Sequence, residues 1–207
     1  MKLMEGVWSG AAAIVEMRLA SNESIDWTAR RGGYGPLHWA AKQNDVKVVR
    51  LLLAAKGCDV NAQVQGSTAL HIGASFGHRE AAQALLAAGA ETALQNSYGD
   101  TALHSAAAAG QLGTSKVLIE AQSELDALNA LHMTALDCAS RNGHLDVVQL
   151  LAERGARRSG QEERLARQFN HIATAAWLAA EPPSATCPSL PPSPPGDSMV
   201  RDVSAEL

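Results

Sequence analysis

Aromatic side chains are scarce in these 207 residues: two Phe, two Tyr and four Trp make up 4% of the chain. With 46% hydrophobic residues, dominated by Ala and Leu, any core must be built from aliphatic and small side chains. The three cysteines, Cys58, Cys138 and Cys187, show no paired spacing. This excludes a disulfide frame and suits reduced thiols inside a cell. Proline is nearly missing before residue 182, since seven of the eight prolines lie between Pro182 and Pro195. No apolar run approaches the length of a membrane span. Residues 1–20 make a poor secretory leader, because Glu5 interrupts them and Glu16 and Arg18 close a short apolar stretch. The net charge of −4 leaves no strong drive toward nucleic acid. The expectation is a cytoplasmic or nuclear chain with neither membrane insertion nor nucleic acid as its business.

What the chain does have is a period. Gly35-Pro36-Leu37-His38-Trp39-Ala40-Ala41 returns as Thr68-Ala69-Leu70-His71-Ile72-Gly73-Ala74. Thr101-Ala102-Leu103-His104 and Thr134-Ala135-Leu136-Asp137 continue it at the same spacing. Other columns keep step: Gly33, Gly66, Gly99 and His132; Asn44, Gly77, Gly110 and Gly143; Leu52, Leu85, Leu118 and Leu151. A repeat of this length signals a solenoid, in which each unit is stabilised by its neighbours. Each unit reads as helix, turn, second helix and long loop. Thr at the start of the first helix suits a cap for orphan backbone donors. Gly35 lacks that group, while Pro36 fits the first helical turn.

The second helices carry most of the apolar surface. Val48, Val49 and Leu52 serve repeat one, and Val147, Val148 and Leu151 serve repeat four. Thr114 and Ser115 stand at the matching places in repeat three, so the middle of the array is expected to open first.

The Thr-Pro-Leu-His-x-Ala-like block at this period resembles the signature of ankyrin repeats. The resemblance covers residues 33–160 as four repeats and implies an all-α ankyrin-repeat solenoid of stacked helix-turn-helix units with protruding loops. Residues 1–32 read as a degenerate N-terminal capping repeat, with Val7, Trp8, Ile14, Val15, Met17 and Leu19 covering repeat one. Residues 161–181 read as a C-terminal capping helix or degenerate repeat. Phe169, one full period after Leu136, would close that end together with Leu165, Ile172, Ala173, Ala176 and Trp177. Residues 182–207 read as a disordered, proline-rich tail. Its Pro-x-x-Pro spacings can dock aromatic grooves, but no Lys or Arg flanks them closely.

Candidate chemistry is thin. His38, His71 and His104 stand in different repeats without a second ligand at zinc spacing. The resemblance assigns them a structural role, bonding the neighbouring Thr and backbone between repeats. His78 and His144 follow the turn and would cap the second helix. No phosphate-binding loop or nucleophile elbow is present, and no metal, cofactor or catalytic residue is expected.

The resemblance places function on the concave face, where loop tips and first helices line a groove for a partner protein. Mapped onto this register, the candidates are Arg31, Tyr34, Lys42, Val64, Gln65, Phe76, Tyr98, Asp100, Leu131, Met133 and Arg141. The apolar members would form a track rimmed by Arg31, Lys42 and Arg141. This implies a monomeric, non-catalytic adaptor or scaffold for another protein. The alternative is a regulatory inhibitor subunit of an enzyme such as a kinase, distinguished by whether the partner loses activity. Asn61 sits in a loop context resembling ankyrin sites hydroxylated by an intracellular oxygenase, a context that is also common loop consensus. Arg154, Arg157, Arg158, Arg164 and Arg167 form a basic run that suits a solvated end or a helix C-terminus.

Overall fold

The computed structural model describes residues 2–20, 26 and 29–180. The proline-rich segment with its Pro-x-x-Pro spacings, and Cys187, lie outside the described residues. Among those described, the chain forms twelve α-helices and no strand. The N-terminal pair is α1 (Lys2–Ser9) and α2 (Ala12–Ala20). Four repeats follow: α3 (Pro36–Lys42) with α4 (Val46–Ala54), α5 (Ala69–Ser75) with α6 (Arg79–Ala87), α7 (Ala102–Ala108) with α8 (Leu112–Glu120), and α9 (Ala135–Arg141) with α10 (Leu145–Glu153). The last pair is α11 (Glu162–Gln168) and α12 (Ile172–Ala180). First helices pack on first helices and second on second, giving two layers.

The caps explain where the first helices begin. Thr68, Thr101 and Thr134 are extended, and each hydroxyl accepts from the backbone N–H three residues on. The side chain at that third position, His71, His104 or Asp137, returns a bond to the Thr backbone N–H. Gly35 has no side-chain cap to offer α3, and Pro36 occupies its first turn. Between the layers runs the leucine column Leu52, Leu85, Leu118 and Leu151, each fully buried. Burial of each contributes about 1.5–3 kcal/mol relative to exposure.

Two ladders of side-chain bonds stitch the repeats. Nε2 of His38, His71 and His104 lies 2.8–2.9 Å from the carbonyl oxygens of Ser67, Asp100 and Met133 in the next loop. A carbonyl only accepts, so Nε2 carries the proton, and Nδ1 is left to accept from the Thr68 or Thr101 N–H. Burial holds the imidazoles of His38 and His71 below their ordinary pKa, which keeps them neutral. The second ladder runs backward. His78, Gln111 and His144 donate to the carbonyls of Lys42, Ser75 and Ala108 at the ends of the preceding first helices. His78 and His144 thus do not cap their own helices, where neither makes a side-chain cap bond. They satisfy orphan carbonyls at a neighbour's C-terminus, because the turn points them across the repeat boundary.

The ends depart from the regular register. From α9 to α11 the helix starts move from Ala135 to Glu162, and from α10 to α12 they move from Leu145 to Ile172. Both steps are six positions shorter than the step between interior repeats. Ala166, Ala175 and Leu178 consequently take the places of Ala139, Val148 and Leu151 and are buried. Phe169, Ile172, Ala173 and Ala176, expected to close this end, are exposed. Six missing positions turn a helix by about 240°, so a stripe read at the longer period faces outward. The end is also held by polar bonds. Asp137 can only accept where the histidines donate, and its Oδ1 takes the Ser159 hydroxyl at 2.9 Å. Buried Glu162 accepts from the Ser159 and Gly160 N–H groups. At the other end, the step from the start of α2 at Ala12 to that of α4 at Val46 is one position longer than the repeat. Val7 and Val15 are buried there, whereas Ile14 and Met17 face solvent.

Candidate functional site

The loop tips form a row beside the first helices. Arg31 bridges Tyr34, and Val64 bridges Ser67, in two tight antiparallel turns. The next two tips are pinned by asparagine. Asn96 Oδ1 accepts from the Tyr98 and Asp100 N–H groups, and Asn129 Oδ1 accepts from those of Leu131 and Met133. Successive tips are also laced together. Ala130 N–H donates to the Tyr98 carbonyl at 3.1 Å, and Asn129 Nδ2 donates to Asp100 Oδ1 at 2.7 Å.

Close approach accounts for glycine at two tips. Gly66 and Gly99 have φ of +75° and +73°, and a Cβ on either would strike the backbone N of Ser97 (2.8 Å) or Ala130 (2.5 Å) in the next tip. His132, in the fourth tip, takes φ +55° without being glycine. It precedes the shortened terminal unit.

The chain that builds this scaffold is matched by a family model. The model described as Ankyrin repeats (3 copies) covers residues 3–96 and 86–159. The chain is an ankyrin-repeat protein. A search of curated proteins finds no match to it. Ankyrin repeats generally mediate protein–protein interaction, and proteins of this family are typically non-catalytic. No described helix is long and apolar enough to cross a membrane. Among the described residues no three His, Cys, Asp or Glu side chains are grouped to hold a metal.

On this ankyrin array the candidate residues separate into two clusters. The first joins Arg31, Tyr34, Lys42 and Phe76. Lys42 Nζ stands 4.3 Å from the centre of the Tyr34 ring and 5.6 Å from that of Phe76. Phe76 stacks on His78, with ring centres 5.9 Å apart. The second cluster lines a groove of about 340 Å³ with Tyr98, Asp100, Leu131, Met133 and Arg141 on its walls. Ala108, Ala130 and Cys138 line it as well. Tyr98 is 74% and Leu131 67% exposed, so two large apolar side chains flank this recess. Met133 is half-buried. Arg141 is held 5.1 Å above the Phe169 ring.

Two candidates stand outside both clusters. Val64 lines a small recess of about 70 Å³ with Gly35, Pro36, Leu37 and His38, its Cγ2 lying 3.5 Å from where a Cβ on Gly35 would stand. Gln65, exposed at its tip, lays its amide beside Gly33 of the preceding turn. Asn61 is bonded at both ends of its carboxamide, donating to Glu91 Oε1 at 2.9 Å and accepting from Glu91 N–H at 3.0 Å. The basic run is dispersed. Arg157 pairs with Asp126, Arg167 with Glu163, and Arg158 donates to the Leu178 carbonyl at the end of α12.

Trp8 and Trp39, which lie against Arg31, and Cys138 and Phe169 beside the groove were not among the candidates; pattern reading gave Trp8 and Phe169 to the end caps. For Trp39 a signal was present, since it lies three positions before Lys42 and shares its helix face. For Trp8 and Phe169 none was, because their places depend on the irregular ends. Burial, with the Asp100 and Asp137 carboxylates nearby, pushes the Cys138 thiol up to about 12, which disfavours the thiolate. Burial likewise raises Cys58 to about 11.

Proposed function

We propose that this protein is a non-catalytic adaptor or scaffold that binds a partner protein along its concave face. The observation that carries the reading is the groove between the third and fourth tips. Exposed Tyr98 and Leu131 line it together with Ala108, Ala130 and Met133, on loops already tied by backbone and asparagine bonds. A preformed groove loses little conformational entropy on binding, so modest contacts suffice. Exposed aromatics with Arg141 at the rim are the residue types that dominate interface energetics.

The test is affinity capture from cell extract with the wild type beside a Tyr34→Ala/Phe76→Ala/Tyr98→Ala variant, after circular dichroism shows that both fold. A partner retained by the wild type and lost by the variant supports the concave face. Partners retained equally by both would move the site to the Arg154–Arg167 end or the proline-rich segment.

A further inference from the structure

The first repeat carries a cation–aromatic platform that the groove alone does not account for. Arg31 lies over Trp8 and Trp39, 5.8 and 5.2 Å from their ring centres. Lys42 lies over Tyr34, Trp39 and Phe76 at 4.3, 5.8 and 5.6 Å. Both cations therefore rest against one indole. Trp39 is itself fixed, since its Nε1–H donates to the Trp8 carbonyl at 3.2 Å. Among the described residues neither Arg31 nor Lys42 has a carboxylate within ion-pairing distance.

An aromatic cluster of this kind ordinarily receives a cation from outside. Here the protein's own cations already cover the rings, so what the platform offers outward is N–H donors and positive charge. Two like charges on one ring repel each other until an anion lies across them. Phe76, 47% exposed, leaves apolar surface beside Lys42. The complementary ligand alternates carboxylates with apolar side chains.

We propose that Arg31 and Lys42, held on Trp8, Tyr34, Trp39 and Phe76, dock an acidic, leucine-punctuated segment of the partner protein. This rests on the reading of the concave face as a protein-binding surface and names the chemistry of what binds there.

The experiment is a fluorescence titration of the full chain with three synthetic peptides built on a Glu-Leu-Glu-Glu-Leu unit, its Gln counterpart and its Lys counterpart. Tryptophan emission is the readout, and Trp39→Phe assigns the signal to the platform. The Glu peptide should bind, and weaken as salt rises. The Gln peptide, and an Arg31→Gln/Lys42→Gln variant with the Glu peptide, should each bind roughly tenfold more weakly, as expected for two exposed ion pairs. Lys42→Arg should retain binding and shows that the site tolerates substitution. Equal binding of Glu and Gln peptides, no binding of the Glu peptide, or tighter binding of single-stranded polyuridine than of the Glu peptide would each overturn the proposal. Binding that ignores charge but is lost in Tyr98→Ala/Leu131→Ala would overturn it while leaving the concave-face reading intact. Binding insensitive to both variants would overturn both.

Discussion

Helices α8 and α10 hold the same place in successive repeats and have the same nine-residue length, yet they are filled differently. Val147 and Val148 of α10 are buried, and so are Thr114 and Ser115 at the matching places in α8. The valines bring methyl groups to the core. The hydroxyls of Thr114 and Ser115 find no hydrogen-bond partner among the described residues. Each such hydroxyl costs roughly 1–3 kcal/mol. Ser140, equally buried, escapes this by donating to the Leu136 carbonyl at 2.8 Å. Gly113 weakens α8 further, because glycine loses more backbone freedom in a helix than other residues. A geometrically regular array is therefore uneven in energy, and in a solenoid the unevenness stays local.

The largest effect should come from Leu118→Ala, which removes the one leucine that α8 buries completely. A loss of about 2–5 kcal/mol is expected in denaturant unfolding. Hydrogen exchange should show α8 opening before α10 already in the wild type, and the variant should widen that gap. If α10 exchanged first, the comparison would be reversed. Gly99→Ala comes next, since its Cβ meets the Ala130 backbone and its φ of +73° is strained for any L side chain. A cost of about 1–3 kcal/mol is expected. A loss no greater than that of an exposed surface change would show that the tips are not as closely laced as described.

Removing the orphan hydroxyls works in the other direction. Thr114→Val and Ser115→Ala should each stabilise the chain by about 1 kcal/mol, read as a higher denaturation midpoint at constant slope. The two substitutions should bring α8 exchange toward that of α10. Destabilisation by both would mean that a partner serves these hydroxyls in solution.

The smallest effect distinguishes the first two repeats from the fourth. His38 and His71 have folded-state pKa values below 6.5. The unfolded chain then takes up their protons first as the pH falls. Their share of the stability is complete above about pH 6.5 and is lost as the pH drops through the lower folded values. Acidification from neutral pH to about pH 5 should lower the midpoint, and His71→Gln should reduce that sensitivity. Asp137 replaces the histidine in repeat four, so its helix α9 should feel the change least. Exchange rates rising equally in all repeats would count against this ladder.

The period, the caps and the leucine column were legible because they are local or strictly repeated. A helix needs its cap within one turn, and each interior repeat meets an identical neighbour. Thr68, Thr101, Thr134 and Leu52 through Leu151 could be placed from spacing alone for that reason. Repetition also located the tips, which is why Tyr98, Leu131 and Arg141 could be gathered near one another. Where the repeat breaks, spacing failed. The shortening before α11 carried Phe169 and Ile172 to the outside, and nothing in either side chain announces this. The altered offset at the N-terminus bears on Trp8 in the same way.

By itself, then, the amino-acid sequence determined the family, the helical solenoid, the core column and the row of loop tips. Tertiary structure alone decided which side chains are spent inside the protein. Val64 and Gly35 line one recess, Asp100 is bonded by Asn129, and Asn61 is closed onto Glu91. It also decided that Arg31 and Lys42 share the Trp39 ring. Apart from Lys42 over Trp39, three positions apart on one helix, such choices arise between neighbouring units, where short distances across the stack set the energy and no spacing along the chain encodes them.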